Sequence, residues 1–131
     1  MAQSSRAKWL SCVNAALEKK ATDIVLLKLK GIVSYADYSV ICSGRSDRQV
    51  QAIAQSIETE MGKRGHRPLG IEGKGEGKWV LMDYGDLVIH IFFEPVRNFY
   101  DLEGLWIDAP RQEITEESLV QPVRKRKRVR S

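Results

Sequence analysis

Seven consecutive residues, Leu87 to Phe93 (LVIHIFF), constrain the fold more than any other part of the chain. In a strand, successive side chains point to opposite faces. Leu87, Ile89, Ile91 and Phe93 then share one face, and Val88, His90 and Phe92 the other. A strand apolar on both faces belongs in the middle of a sheet, covered on both sides or nearly so. Trp79–Tyr84 supplies a neighbour, with Trp79, Leu81 and Asp83 pointing one way and Val80, Met82 and Tyr84 the other. Gly85 gives a flexible turn position before Asp86. Pro95 suits the first turn of a helix, and Val96, Phe99, Leu102 and Trp106 follow at helical spacing. Nothing between Gly77 and Trp106 is a nucleophile, a metal cage or a phosphate loop. A sheet carrying a tryptophan and acids without such chemistry points to a docking surface.

The remaining elements follow from periodicity and punctuation. Ser4 or Ser5 can cap a first helix with Leu10, Val13, Leu17 and Ala21 inward. Asp23–Lys30 reads as a strand ended by Gly31, and Tyr38–Cys42 as the next. Ser46-Asp47-Arg48-Gln49 is a capping box. It opens a helix with Val50, Ile53, Ala54, Ile57 and Met61 on one stripe, closed by Gly62 or Gly65. Leu69–Glu72 is a short strand, and Gly73–Gly77 a mobile connection. The expected fold is α/β: one domain, residues 1–108, with a mixed five-stranded sheet and flanking helices in the order α-β-β-α-β-β-β-α. This topology is similar to that of nucleotidyltransferases. Residues 109–131 read as a disordered basic tail, too poor in apolar area to order itself.

Charge narrows the partners. Residues 1–108 hold 14 Lys/Arg and 14 Asp/Glu, whereas residues 109–131 hold seven and three, so the whole net charge of +4 lies in the tail. A neutral folded part lacks the basic face of a general nucleic-acid binder. Any RNA contact falls to Arg124, Lys125, Arg126, Lys127, Arg128 and Arg130. Cys12 and Cys42 form no C-x-x-C pair, which suits a reducing compartment. No apolar run reaches membrane-spanning length and the N-terminus lacks a signal core, so a cytoplasmic protein without membrane contact is expected.

The candidate chemistry is thin. Gly73–Lys78 fails the Walker spacing, since Trp79 stands where Ser or Thr is needed. Ser43-Gly44-Arg45-Ser46 could hold an anion at a helix start, as in a nucleotidyltransferase, but no D-x-D follows to hold metal, and helix capping is the simpler use. His90 beside Asp86 could form an acid–base pair, yet without a nucleophile the two make no catalytic set. No catalytic residue, metal site or cofactor is expected. Trp79 can be core packing or an interface anchor, and the two readings stand open. Tyr84 ends the same strand and is a further partner-binding candidate, and Glu72, Asp83 and Asp86 would add an acidic rim.

Four segments carry a resemblance: W-V-L-M-D-Y-G-D-L-V-I-H from Trp79, R-N-F-Y-D-L-E-G-L-W from Arg97, A-D-Y-S-V-I-C-S-G-R-S-D-R-Q-V from Ala36 and P-L-G-I-E-G from Pro68. Together they resemble the ribosomal silencing factor (RsfS/Iojap) family from about Ala7 to Trp106. The resemblance implies a small α/β repressor of translation. It implies binding to the L-fourteen protein of the large ribosomal subunit, so that the small subunit cannot join. Trp79, Asp83, Tyr84, Asp86 and Glu72 are then the expected partner-binding residues, with ribosomal RNA a further contact of the tail and a homodimer the further state of the free protein. Gly104, in a helical position, and the tail depart from the family pattern. A nucleotidyltransferase-like enzyme and an RNA-binding module are the alternatives.

Overall fold

The computed structural model describes residues 5–115. Its elements are α1 (Ser5–Glu18), β1 (Thr22–Lys28), β2 (Tyr38–Gly44), α2 (Asp47–Lys63), β3 (Gly70–Glu72), β4 (Trp79–Asp83), β5 (Leu87–Phe93), α3 (Glu94–Tyr100), a 3-10 turn (Leu102–Trp106) and β6 (Arg111–Ile114). The six strands form one sheet in the order β3-β4-β5-β2-β1-β6. Its central pair, β2 and β5, is parallel, with Val40 opposite Ile89 and Cys42 opposite Ile91. The neighbouring β1–β2 and β4–β5 pairs are antiparallel. β5 is thus the interior strand that its two apolar faces require.

α1 and α2 cover one face. Their Trp9, Val13, Val50, Ile53, Ile57 and Met61 pack with Leu26, Val40, Val80, Met82, Ile89 and Ile91 in the main core. The α2 stripe is buried as its spacing predicts, and the Ser46 hydroxyl caps it by accepting from Gln49 N–H at 3.1 Å. Gln49 Oε1 accepts from Arg45 N–H, and its amide donates to the Lys19 and Lys20 carbonyls, so this one side chain ties the start of α2 to the end of α1. A second, smaller core lies on the opposite face, where Val96, Leu102 and Trp106 cover Val25, Leu27, Ile41 and Phe92. Of β4, Trp79 packs against this core too, while Leu81 and Asp83 stay half-exposed.

Four expectations are corrected. The sheet has a sixth strand, β6, in what reads as tail. Its Arg111–Ile114 backbone pairs with β1, and only Ile114 is buried, so ladder hydrogen bonds hold an edge that side-chain burial could not. The Gly73–Gly77 connection is pinned rather than mobile: Gln51 donates to the Lys74 and Gly75 carbonyls, and Lys74 pairs with Glu58 at 2.9 Å. The final helix does not run to Trp106. Asp101 takes a left-handed conformation (φ 46°), ends α3 and starts the 3-10 turn. Gly104 fits because Asp101 Oδ2 fills the space a Cβ would need. Phe99, expected inward, is 81% exposed, because the short helix turns Val96 and Arg97 toward the sheet instead. Among the described residues no helix is long and apolar enough to cross a membrane.

Candidate docking face

The open part of the second face is built on β4 and β5. Alternation along β4 buries Val80 and Met82 and leaves Trp79, Leu81 and Asp83 half-exposed on the other side. Register sets Trp79 beside Phe92 and Leu81 beside His90. Trp79 stacks on Phe92 at 4.9 Å and meets Tyr100 of α3 at 4.8 Å, and Tyr100 meets Phe99 edge-on at 5.2 Å. The result is a contiguous aromatic surface running from the sheet onto α3. Tyr100 is 52% exposed. Leu105 and Ile107, on either side of Trp106, are also exposed. Large exposed apolar patches are frequent at interaction sites.

The position of Trp79 combines both readings. Its ring is half-buried and its polar handle is spent inward, since Nε1–H donates to His90 Nδ1 at 3.1 Å. His90 is buried, and burial pushes its pKa down to about 4. A neutral ring suits the site, because protonation at Nδ1 would remove the lone pair that Trp79 uses. Asp86 is not its partner. That carboxylate pairs with Lys8 of α1 at 2.6 Å.

The stability of the domain therefore depends on pH through His90. Histidine titrates near 6.5 when unfolded. Its folded value is depressed, so the contribution is complete above about pH 6.5. It is lost as pH falls toward 4, where the unfolded chain takes up a proton that the folded chain refuses. Between pH 6.5 and 5 the loss should be about 1.5 kcal/mol. Denaturant unfolding across that interval should show it for the wild type and little of it for His90→Gln, which keeps an acceptor but does not titrate. Equal losses in both proteins would assign the effect elsewhere.

The structure sorts the other expected site residues. Glu72 is exposed and, with Leu81 as its register partner, shares the open face. Asp83 lies on that face too, and its Oδ1 accepts from Gly85 N–H at 2.9 Å, which fixes the turn. Asp86 is largely neutralised by Lys8 and braces α1. Tyr84 is withdrawn from the face: alternation sends it to the α1/α2 side, where it is 5% exposed. Ser43 and Ser46 are spent internally, the first on Arg97 Nη1 at 2.8 Å and the second on the α2 cap. No group of three or more potential metal-ligating residues occurs among the described residues. Arg124, Lys125, Arg126, Lys127, Arg128 and Arg130 lie outside the described residues.

Tyr100, Leu105 and Ile107 are surface residues that helical spacing did not single out, and Phe99 is one that it placed inward. Their signal is adjacency. Two neighbouring aromatics, Phe99 and Tyr100, on a short helix cannot both face one core.

Known proteins agree with this architecture. The family described as ribosomal silencing factor during starvation has a model that matches residues 2–131. The ribosomal silencing factor of Bacillus subtilis is 47% identical over 93 residues, which cover 71% of this chain and 79% of the relative. That of Halalkalibacterium halodurans is 44% identical over 102 residues, covering 78% of this chain and 87% of the relative. A crystal structure of a protein from Chromobacterium violaceum superposes with a TM-score of 0.78 at 33% identity, over 79% of this chain and 87% of that one. With its sheet, its helices and nearly its whole length accounted for in this way, the chain belongs to the ribosomal silencing factor family.

Proposed function

We propose that the protein represses translation by docking its aromatic face on the large ribosomal subunit, where its bulk prevents the small subunit from joining. The observation that carries this reading is the continuous Trp79–Tyr100–Phe99 surface, which runs from β4 onto α3. Such a surface supplies an anchor of the type that dominates binding energy. Glu72 and Asp83 rim it with negative charge, which suits a basic ribosomal protein such as the L-fourteen protein and speeds encounter more than it tightens binding. The mechanism needs occupancy alone. Ribosome-associated regulation of translation is the activity the family name describes.

Purified protein should co-sediment with isolated large subunits and lower the yield of joined ribosomes when small subunits are added. Gradient profiles unchanged at saturating protein would reject the proposal. Sedimentation of the free protein in the same series tests the homodimer.

The tail adds a separate expectation. Six of the seven residues from Arg124 to Arg130 are basic. If half of them engage ribosomal RNA, removing residues 116–131 should flatten the slope of log K against log salt by roughly two to three units through lost counterion release. Equal slopes for the full chain and the 1–115 chain would remove RNA contact from the tail.

A further inference from the structure

Tyr100 belongs to α3, whose hold on the rest of the domain is as much polar as apolar. The helix has only seven residues. A cleft of about 740 Å³ opens along one side of it, lined by Glu94, Pro95 and Asn98 of the helix and by Asp23 and Ile24 of β1. Val96 reaches the second core from one side of the helix. From the middle of the helix, Arg97 crosses to the sheet. The residue is 8% exposed, in a position where charge is costly without partners. Nη1 donates to the Asp23 carbonyl at 2.6 Å and to Ser43 Oγ at 2.8 Å, while Nε donates to Glu103 at 3.0 Å. Glu103 also pairs with Arg111 of β6 at 3.2 Å, and Arg97 holds its carboxyl below the ordinary carboxylate range. One side chain thus fastens α3, the 3-10 turn, β1 and β2 together, with β6 attached through Glu103.

We infer that Arg97 is the positioning residue of the docking face: it holds α3 at the station that sets Tyr100 against Trp79 before a partner arrives. This deepens the large-subunit reading and rests on it. A planar guanidinium with fixed donors suits the task because it fixes direction as well as distance. Lysine keeps the charge but cannot satisfy a carbonyl, a hydroxyl and a carboxylate from these directions. A preformed aromatic pair spares the partner the cost of ordering it.

The test is a double-mutant cycle on large-subunit binding, comparing wild type, Arg97→Lys, Tyr100→Ala and the double variant, with thermal unfolding of each. Arg97→Lys should weaken binding about tenfold in the Tyr100 background and less than about twofold in the Tyr100→Ala background, since it acts through that ring. The loss of thermal stability should be the same in both. The Trp79 indole N–H resonance, assigned through Trp79→Phe, should shift in the Arg97→Lys protein at temperatures where it is fully folded. Additive binding losses, or unchanged affinity with only a lower melting temperature, would overturn the positioning role. If Arg97→Lys does not fold, Glu103→Gln carries the same cycle: coupling to Tyr100 of about threefold or more supports the positioning role and additivity rejects it. Failure of the wild type to bind would instead reject the large-subunit reading.

Discussion

Trp79→Ala is expected to weaken large-subunit binding at least ~30-fold, the size of an interface hot spot of about 2 kcal/mol. It should also lower the stability of the domain. The ring contacts Phe92 and Tyr100, and truncation leaves His90 Nδ1 buried without its donor. Lost packing and an orphaned acceptor together should cost about 2–3 kcal/mol. Two readouts at one temperature keep the effects apart, with affinity measured on protein shown to be folded and stability measured by denaturant midpoint. Trp79→Phe should recover part of the packing but not the hydrogen bond. A Trp79→Ala protein that is destabilised yet binds as tightly as wild type would make Trp79 a packing residue and move the anchor to Tyr100 and Phe99.

Gly73→Ala is expected to be among the most destabilising single changes in the loop region. Gly73 has φ +83°, and a Cβ there would overlap the Trp79 carbonyl oxygen. That oxygen belongs to backbone and cannot swing away as a side chain would. Left-handed strain and the clash should together cost about 3 kcal/mol or more. For a domain of this size that lowers the melting temperature by roughly 10 °C. Gly75→Ala is the internal control, since a Cβ at Gly75 meets open space, and its effect should stay within about 0.5 kcal/mol. Equal melting temperatures for the two variants would show that the loop moves aside. Because the obstructed carbonyl is that of Trp79, the Gly73 variant should weaken docking as well.

Periodicity could read what side chains decide and missed what the backbone decides. The α2 stripe from Val50 to Met61 was legible because each of those residues is buried against the sheet. So was the Trp79/Leu81/Asp83 face of β4, because Val80 and Met82 fill the opposite core. β6 was not legible. Three of its four residues are exposed, and its pairing with β1 is written in main-chain groups that every sequence shares. The end of α3 was misread for a related reason: a spacing rule assumes an unbroken helix, and Asp101 breaks it with one backbone rotation. Phe99, upstream of that break, is exposed as well, since the helix spends its inward face on Val96 and Arg97. Tyr84 was drawn to the docking face by its neighbours in sequence, although its place in the alternation already put it on the opposite side. Arg97 drew no notice because a single charged residue on a helix is ordinarily solvated, and nothing in its neighbours announces a partner 74 positions away at Asp23.

The parallel junction at the centre of the sheet governs the order in which this domain can be completed during synthesis. β2 finds its inner neighbour only in β5, with Tyr38 opposite Leu87, and α2, β3 and β4 are made in between. A growing chain therefore carries β2 with one flank bare until Phe93 has emerged. No hairpin turn can shorten that wait, as it does for the antiparallel β4–β5 pair. Closure over so long a separation is slow and leaves apolar strand edges open to other chains meanwhile. A transcript cut short before Phe93 would yield β1, β2 and α2 without the strand that joins them to β4, a product suited to degradation rather than to partial activity.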